Sequence, residues 1–168
     1  MVTSAATAMH TKTPAPAIRQ LARHHLEPGD RILLYGAGHG RNADWLRQCG
    51  YRVYAYDPYN GDDSSGWSGV SNKLPSIKFT IIITCYVLNV VNPETEAFIR
   101  KDCLQRLAKN GFLFHVVRGK GELKKAAGSI ERAIEGYSTR CGYQRLVSPK
   151  GTVVFKKAGY VCWTETVQ

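Results

Sequence analysis

Gly36-Ala37-Gly38-His39-Gly40 and Asp57 are the residues whose types and spacing most directly suggest chemistry in this chain. Arg31-Ile32-Leu33-Leu34-Tyr35 reads as a buried strand running into the glycines. Tyr51–Tyr56 reads as a second strand ending on Asp57, seventeen positions after Gly40. Glycines let the backbone approach a ligand, and an acid at the tip of the next strand can hold ribose hydroxyls. A dinucleotide would also need Gly or Ala three positions after Gly38, where Arg41 stands. The slot therefore suits a ligand with a ribose and a base but no phosphate. The alternative is a strand–turn–helix corner whose glycines serve geometry alone.

S-adenosylmethionine (SAM) is a ligand of that kind. The segment Tyr35-Gly36-Ala37-Gly38-His39-Gly40 resembles the glycine motif of class I SAM-dependent methyltransferases, although Tyr35 precedes the glycines and the loop holds no acid. The resemblance implies that Tyr35, Gly36, Ala37, Gly38, Gly40, Asn42, Asp57, Pro58 and Tyr86 surround the cofactor. Further pieces are similar, in the same order, to the methyltransferases associated with DNA phosphorothioation clusters. They are Lys12-Thr13-Pro14, Leu34–Arg41, Tyr56-Asp57-Pro58, Tyr86-Val87-Leu88-Asn89-Val90-Val91-Asn92-Pro93, Val116-Val117-Arg118, Lys150-Gly151-Thr152 and Phe155-Lys156. That likeness implies a DNA acceptor.

The tip of the strand ending at Cys85 is where enzymes that methylate base amino groups carry an Asn/Asp-Pro-Pro-aromatic tetrad, and cytosine-C5 enzymes a Pro-Cys. Thr84-Cys85-Tyr86-Val87-Leu88-Asn89 matches neither. Candidates for catalysis are Tyr86, Asn89 and Arg118; candidates for the acceptor are Tyr59, Asn89, Arg118 and Lys150. Tyr59 and Tyr86 could stack on a base or merely cover a pocket. Asn89 could bond a substrate edge or cap the next turn. His115 reads as a satisfied strand residue, and Cys85 as a small buried hydrophobe. Methyl transfer from a sulfonium asks chiefly for alignment and exclusion of water. A ring nitrogen with a free lone pair needs no general base.

Charge supplies the second functional signal. The chain carries a net +10, and residues 101–160 hold thirteen Lys/Arg against four Asp/Glu. A basic half suggests an anionic partner, with nucleic acid the first candidate, and a solvated basic surface the alternative. Arg145, Lys150, Lys156 and Lys157 would form a ribbon for a phosphate backbone. The five cysteines form no C-x-x-C pair and the histidines no metal spacing, so no metal is expected and the thiols read as reduced. No apolar run reaches the roughly 20 residues of a membrane span. The first thirteen residues lack the apolar segment of a signal peptide, so a cytoplasmic location is expected.

These residues need a scaffold. The pattern predicts a flexible segment over residues 1–12, then one domain over 13–168. Within it, a helix runs over Pro16–His25, strands over Arg31–Tyr35 and Arg52–Tyr56, and a helix over Asn42–Cys49. A long polar loop, Asp57–Pro75, replaces the usual third strand and helix. A strand at Lys78–Cys85 follows, then a helix from Asn92-Pro93-Glu94 to Asn110-Gly111 and a strand at Phe112–Val117. A helix over Glu122–Tyr137 leads to a hairpin of Tyr143–Val147 with Thr152–Lys157. This order is α/β: a minimal Rossmann-like class I methyltransferase sheet, mostly parallel with an antiparallel C-terminal hairpin. Ligands in such sheets sit beyond the carboxyl ends of the strands, which gathers Gly36–Gly40, Asp57, Cys85–Asn89 and Arg118 around one crevice. A small-molecule or protein methyltransferase, or a non-catalytic module of the same fold, is the alternative to a nucleic-acid enzyme.

Overall fold

The computed structural model describes residues 12–167; the expected flexible segment falls almost wholly outside them. The chain runs α1 (Pro16–His24), β1 (Arg31–Tyr35), α2 (Arg41–Gln48), β2 (Arg52–Tyr56), β3 (Phe79–Cys85), a 3-10 turn (Leu88–Val90), α3 (Pro93–Arg106), β4 (Leu107–Arg118), α4 (Lys120–Ala127), α5 (Ile130–Glu135), β5 (Tyr137–Thr139), β6 (Gly142–Gln144), β7 (Thr152–Lys156) and β8 (Tyr160–Glu165). Six strands form one sheet in the order β2-β1-β3-β4-β8-β7. The first four run parallel; β8 is antiparallel to β4, and β7 to β8. Among the described residues no helix is long and apolar enough to cross a membrane.

The β3 run is apolar on both faces because both faces are covered. Ile81 and Ile83 pack with Ile18 and Leu21 of α1 and Ala43 and Leu46 of α2. Phe79 and Ile82 pack with Ile99 and Cys103 of α3 on the other side. Asn92 caps α3 as its sequence suggests: its side-chain oxygen accepts from the Thr95 N–H at 2.8 Å, with Pro93 at the first position.

Three expectations are corrected. The helix expected to reach Asn110-Gly111 stops at Arg106, and Leu107 already belongs to β4. Asn110, at φ 63°, makes a left-handed kink within that strand, where the register steps from Phe79–Leu107 to Ile81–Phe112. The single helix expected over Glu122–Tyr137 is two, because Gly128 is left-handed (φ 91°) and the Ser129 hydroxyl caps α5 through the Arg132 N–H. The C-terminal hairpin exists, but Thr152–Lys156 pairs with Tyr160–Glu165; the Tyr143 segment pairs with Tyr137–Thr139 instead. Burial explains the choice. Cys162 and Trp163 are fully buried once β8 lies between β4 and β7.

The segment after Asp57 forms no regular strand or helix, as expected, but it is firmly held. The Ala55 N–H donates to the Gly66 carbonyl at 2.8 Å, Ser71 N–H to Ala55 at 2.9 Å, and Asp57 N–H to Ser71 at 2.9 Å. Arg47 donates to the carbonyls of Val53, Gly66 and Gly69. Trp67 lies edge-on to Tyr54, with the Arg52 guanidinium 4.6 Å from its ring centre. The segment thus lies along the outer side of β2.

A polar chain crosses the core from β3 to α3. The Thr84 hydroxyl meets His115 Nδ1 at 2.7 Å, His115 Nε2 meets Glu165 at 2.9 Å, and Arg100 binds the same carboxylate. Burial, only partly opposed by Glu165, holds the His115 imidazole below its usual range. His115 is therefore neutral at pH 7, with Nε2–H donating to Glu165 and Nδ1 accepting from Thr84. Burial would raise Glu165, but hydrogen bonds from His115 and Arg100 bring its pKa down to about 2. Both groups bind protons less readily folded than unfolded, so both lose their contribution as pH falls. Stability should decline below about pH 6.5, where the unfolded histidine protonates, and further between about pH 4.5 and 2. Urea midpoints measured across this range check it; a midpoint flat from pH 7 to pH 5 would contradict the His115 assignment.

Candidate functional site

β1 delivers the chain into Gly36 (φ 78°), Gly38 (φ 59°) and Gly40 (φ 88°), all in the left-handed region that side chains resist. The N–H groups of Gly36 and Ala37 both donate to the Tyr56 carbonyl at 2.8 Å, and that of Gly38 donates to Asp57 Oδ2 at 2.8 Å. Asp57 Oδ1 accepts from the Tyr59 and Asn60 N–H groups at 2.9 Å each and from the Asn60 amide at 3.2 Å. Asp57 is buried and joins the glycine corner to the tip of β2. A carboxylate offers about four acceptor sites; Oδ2 holds one donor among the described residues and can accept another.

A side chain at Gly36 would fail on two counts. Its φ is left-handed, and its Cβ would stand 2.5 Å from a Val87 methyl. Gly50 has a similar φ (94°) with open space around it. Gly36→Ala should cost about 3 kcal/mol and Gly50→Ala about 1–2 kcal/mol. Urea denaturation of the two variants isolates the Val87 contact; equal losses would contradict it.

The tip of β3 brings Cys85 and Tyr86 to the same edge. Tyr86 is a bulky residue in the left-handed region (φ 60°), its N–H held by the Val116 carbonyl at 2.9 Å. Such strain gathers at functional sites. Burial pushes the Tyr86 phenol up, with Cys85, Tyr160 and Glu122 adding to the shift and Arg41 opposing it. Burial likewise raises the Cys85 thiol to about 12, so it is protonated and no nucleophile.

Several expected site residues face elsewhere. The Tyr35 hydroxyl donates to Asp102 of α3 at 3.0 Å and its ring packs edge-on to Tyr56, so its side chain is committed to α3. The Asn42 side-chain Oδ1 accepts from the Ala15 N–H at 2.9 Å and anchors the start of α1. Asn89 is fully buried: Oδ1 accepts from the Arg118 N–H at 2.7 Å, Nδ2 donates to the Arg145 carbonyl at 2.9 Å, and its own carbonyl accepts from the Arg145 N–H at 2.8 Å. Where a bond to a substrate edge or a cap of the next turn was expected, its side chain joins Arg118 and Arg145 inside the scaffold.

The basic ribbon loses one of its four members. Arg145 is buried and binds Glu96 and the Val91 carbonyl, and Lys150 donates to Glu96 at 2.6 Å. Burial would raise the Glu96 carboxyl, but Arg145 and Lys150 reverse that and hold it below its usual range. Glu96 therefore holds Arg145 inside the fold and pairs with Lys150 at the surface. Lys156 and Lys157 remain exposed beside the β7–β8 turn. That turn reaches the site, since the Gly119 N–H donates to the Gly159 carbonyl at 3.0 Å.

Arg118 keeps its expected place at the tip of β4, where it pairs with Glu122 at 3.2 Å. Tyr59 is exposed beside Asp57, next to Pro58. Sequence reasoning missed Tyr160 and Glu122 at this edge, because their positions depend on which strand β8 joins. Among the described residues no three His, Cys, Asp or Glu side chains gather as metal ligands.

The glycine corner, the acid at the next strand tip and the sheet order together describe one known protein class. A family model described as a methyltransferase domain matches residues 8–162. The chain belongs to the methyltransferase-domain family. Solved methyltransferases share its fold. A 1,6-didemethyltoxoflavin N1-methyltransferase of Burkholderia thailandensis, crystallised with its acceptor and S-adenosylhomocysteine (SAH), is 18% identical with a TM-score of 0.60, over 89% of this chain and 75% of that one. The magnesium protoporphyrin IX methyltransferase of Synechocystis, with bound SAM, is 12% identical with a TM-score of 0.51, over 88% and 74%. The CcbJ methyltransferase of Streptomyces caelestis is 13% identical with a TM-score of 0.53, over 73% and 60%. The domain covers 34%, 50% and 62% of three other matched methyltransferase structures. No curated protein matches its sequence.

Proposed function

We propose that this methyltransferase domain binds SAM at the Gly36–Gly40 corner and directs methyl transfer to a nucleophile that supplies its own lone pair. The observation that carries the reading is the Gly38–Asp57 bond, which holds a carboxylate with spare acceptor capacity beside three left-handed glycines. Asp57 would accept a ribose hydroxyl, and the glycine backbone would lie close under the ligand. Tyr59 and Pro58, which adjoin Asp57, would flank the base. Bound SAM would supply an electrophilic methyl group on a sulfonium. The domain's own task is alignment and exclusion of water, since the Cys85 thiol is protonated. Calorimetric titration with SAH tests the reading: binding in the micromolar range is expected, and no heat at millimolar SAH would refute it.

The acceptor favoured here is nucleic acid, and DNA in particular through the likeness to the phosphorothioation-associated methyltransferases. Supporting it, Lys120, Lys156 and Lys157 are exposed around the strand ends that carry Arg118. A small-molecule acceptor is the second reading, favoured by the burial of Arg145 and the pairing of Lys150 with Glu96. Salt separates the two. Binding to phosphates weakens steeply between 50 and 200 mM salt. Salt-insensitive methyl transfer, with no label from SAM entering DNA or RNA, would favour the small molecule.

A further inference from the structure

We propose that the crevice opens into an acceptor pocket walled by Tyr86 and Tyr160 and gated by the Arg118–Glu122 pair, shaped for a planar heteroaromatic group that carries an N–H. The inference rests on the cofactor reading above and names what lies beyond the methyl position.

Register places the second wall. Tyr160 stands opposite Arg118 across the β4–β8 ladder, so both side chains leave the same face of the sheet. Tyr86 and Tyr160 are each half-buried against the apolar cluster that contains Val116 and Cys162, with Cys85 packed beside them. The Tyr86 backbone and the Tyr160 ring are held before any ligand arrives. The Val116 carbonyl fixes Tyr86 in its left-handed conformation, and Phe155 meets Tyr160 edge-on at 6.0 Å between ring centres. Two aromatic side chains packed on an apolar floor suit a flat ring better than a flexible chain.

The polar part comes from α4. The Gly119–Gly159 bond draws the β7–β8 turn under the first turn of that helix, and a Cβ built on Gly159 would meet Glu122 Oε1 at 3.4 Å. Glu122 Oε2 is bonded to Arg118; among the described residues Oε1 holds no donor, and neither do the Tyr86 and Tyr160 hydroxyl oxygens. The pocket thus offers one strong acceptor beside two ring faces, which matches an N–H on an aromatic heterocycle. The Arg118–Glu122 pair is half-exposed, so water already competes for it and it can open to admit such a group. A nucleobase belongs to this chemical class, as do smaller heteroaromatic amines.

The probe is 4-aminoquinoline, added to the full chain at saturating SAH so that the cofactor's base slot is filled. We expect the ring resonances of Tyr86 and Tyr160 to shift on titration. Loss of one stacking wall is worth about 1–3 kcal/mol, so Tyr160→Leu should weaken the probe about 5- to 150-fold. Glu122→Gln should weaken it about tenfold, and Tyr160→Phe, which keeps the ring, should restore binding. SAH affinity should stay within threefold throughout, which excludes misfolding as the cause. Unshifted tyrosine rings, or equal affinity in Tyr160→Leu and the parent, overturns the pocket. A parent chain that binds the probe but not SAH overturns the cofactor reading and leaves the pocket standing.

Discussion

Asp57→Ala should abolish SAH binding, by about 100-fold or more, and lower stability by about 2–4 kcal/mol. The two losses share one cause. The carboxylate takes hydrogen bonds from Gly38, Tyr59 and Asn60, and bonds to a charged acceptor contribute about 1.5–3 kcal/mol each. Their removal leaves backbone N–H groups unpaired in a buried corner and frees the glycine loop from β2. Losing a ribose acceptor then acts on a loop already displaced. Asp57→Asn separates the effects. It keeps the shape and one acceptor oxygen, so it should recover most of the stability and little of the affinity. Urea denaturation and calorimetry on the same samples check this. SAH affinity within threefold of the parent in Asp57→Ala would remove Asp57 from the cofactor site.

Asn89→Ala should unfold the protein about 3–4 kcal/mol more easily. Its side chain is fully buried and closes a ring of bonds through the Arg118 N–H and the Arg145 carbonyl. Truncation strands both partners, each at about 1–3 kcal/mol, and opens a small cavity. The 3-10 turn that Asn89 centres follows Tyr86 directly, so slower methyl transfer would accompany the loss as a secondary effect. A substrate contact would behave differently, with normal stability and a lowered kcat. Denaturation midpoints decide between them, and an unchanged midpoint would return Asn89 to the acceptor site.

Much of the glycine corner's geometry was legible because its signals are local. A strand, three alternating glycines and an acid at the next strand tip need no knowledge of distant partners. The Asn92-Pro93 cap is equally self-contained. The acceptor side was less legible because its residues take their meaning from partners far along the chain. Lys150 and Arg145 read as surface cations until Glu96, about fifty residues earlier, is seen buried between them. Asn89 reads as a strand-tip polar group until Arg118 and Arg145 surround it. Tyr160 acquires a position only when β8 inserts beside β4. Gly128-Ser129 was a local stop and start that the apolar stripe of Glu122–Tyr137 obscured; periodicity continued across the break although the backbone could not.

The segment that follows Asp57 has one more consequence. By strand order β2 and β7 both end the sheet, yet the outer amides of Ala55 and Asp57 already bond to Gly66 and Ser71. Within the six-stranded sheet, among the described residues, only the outer side of β7 is left as an unpaired ladder. A sheet with two open borders can add copies at both and grow into a fibre. With one, any pairing of strands between two molecules uses up the sole available border on each, and growth stops at two.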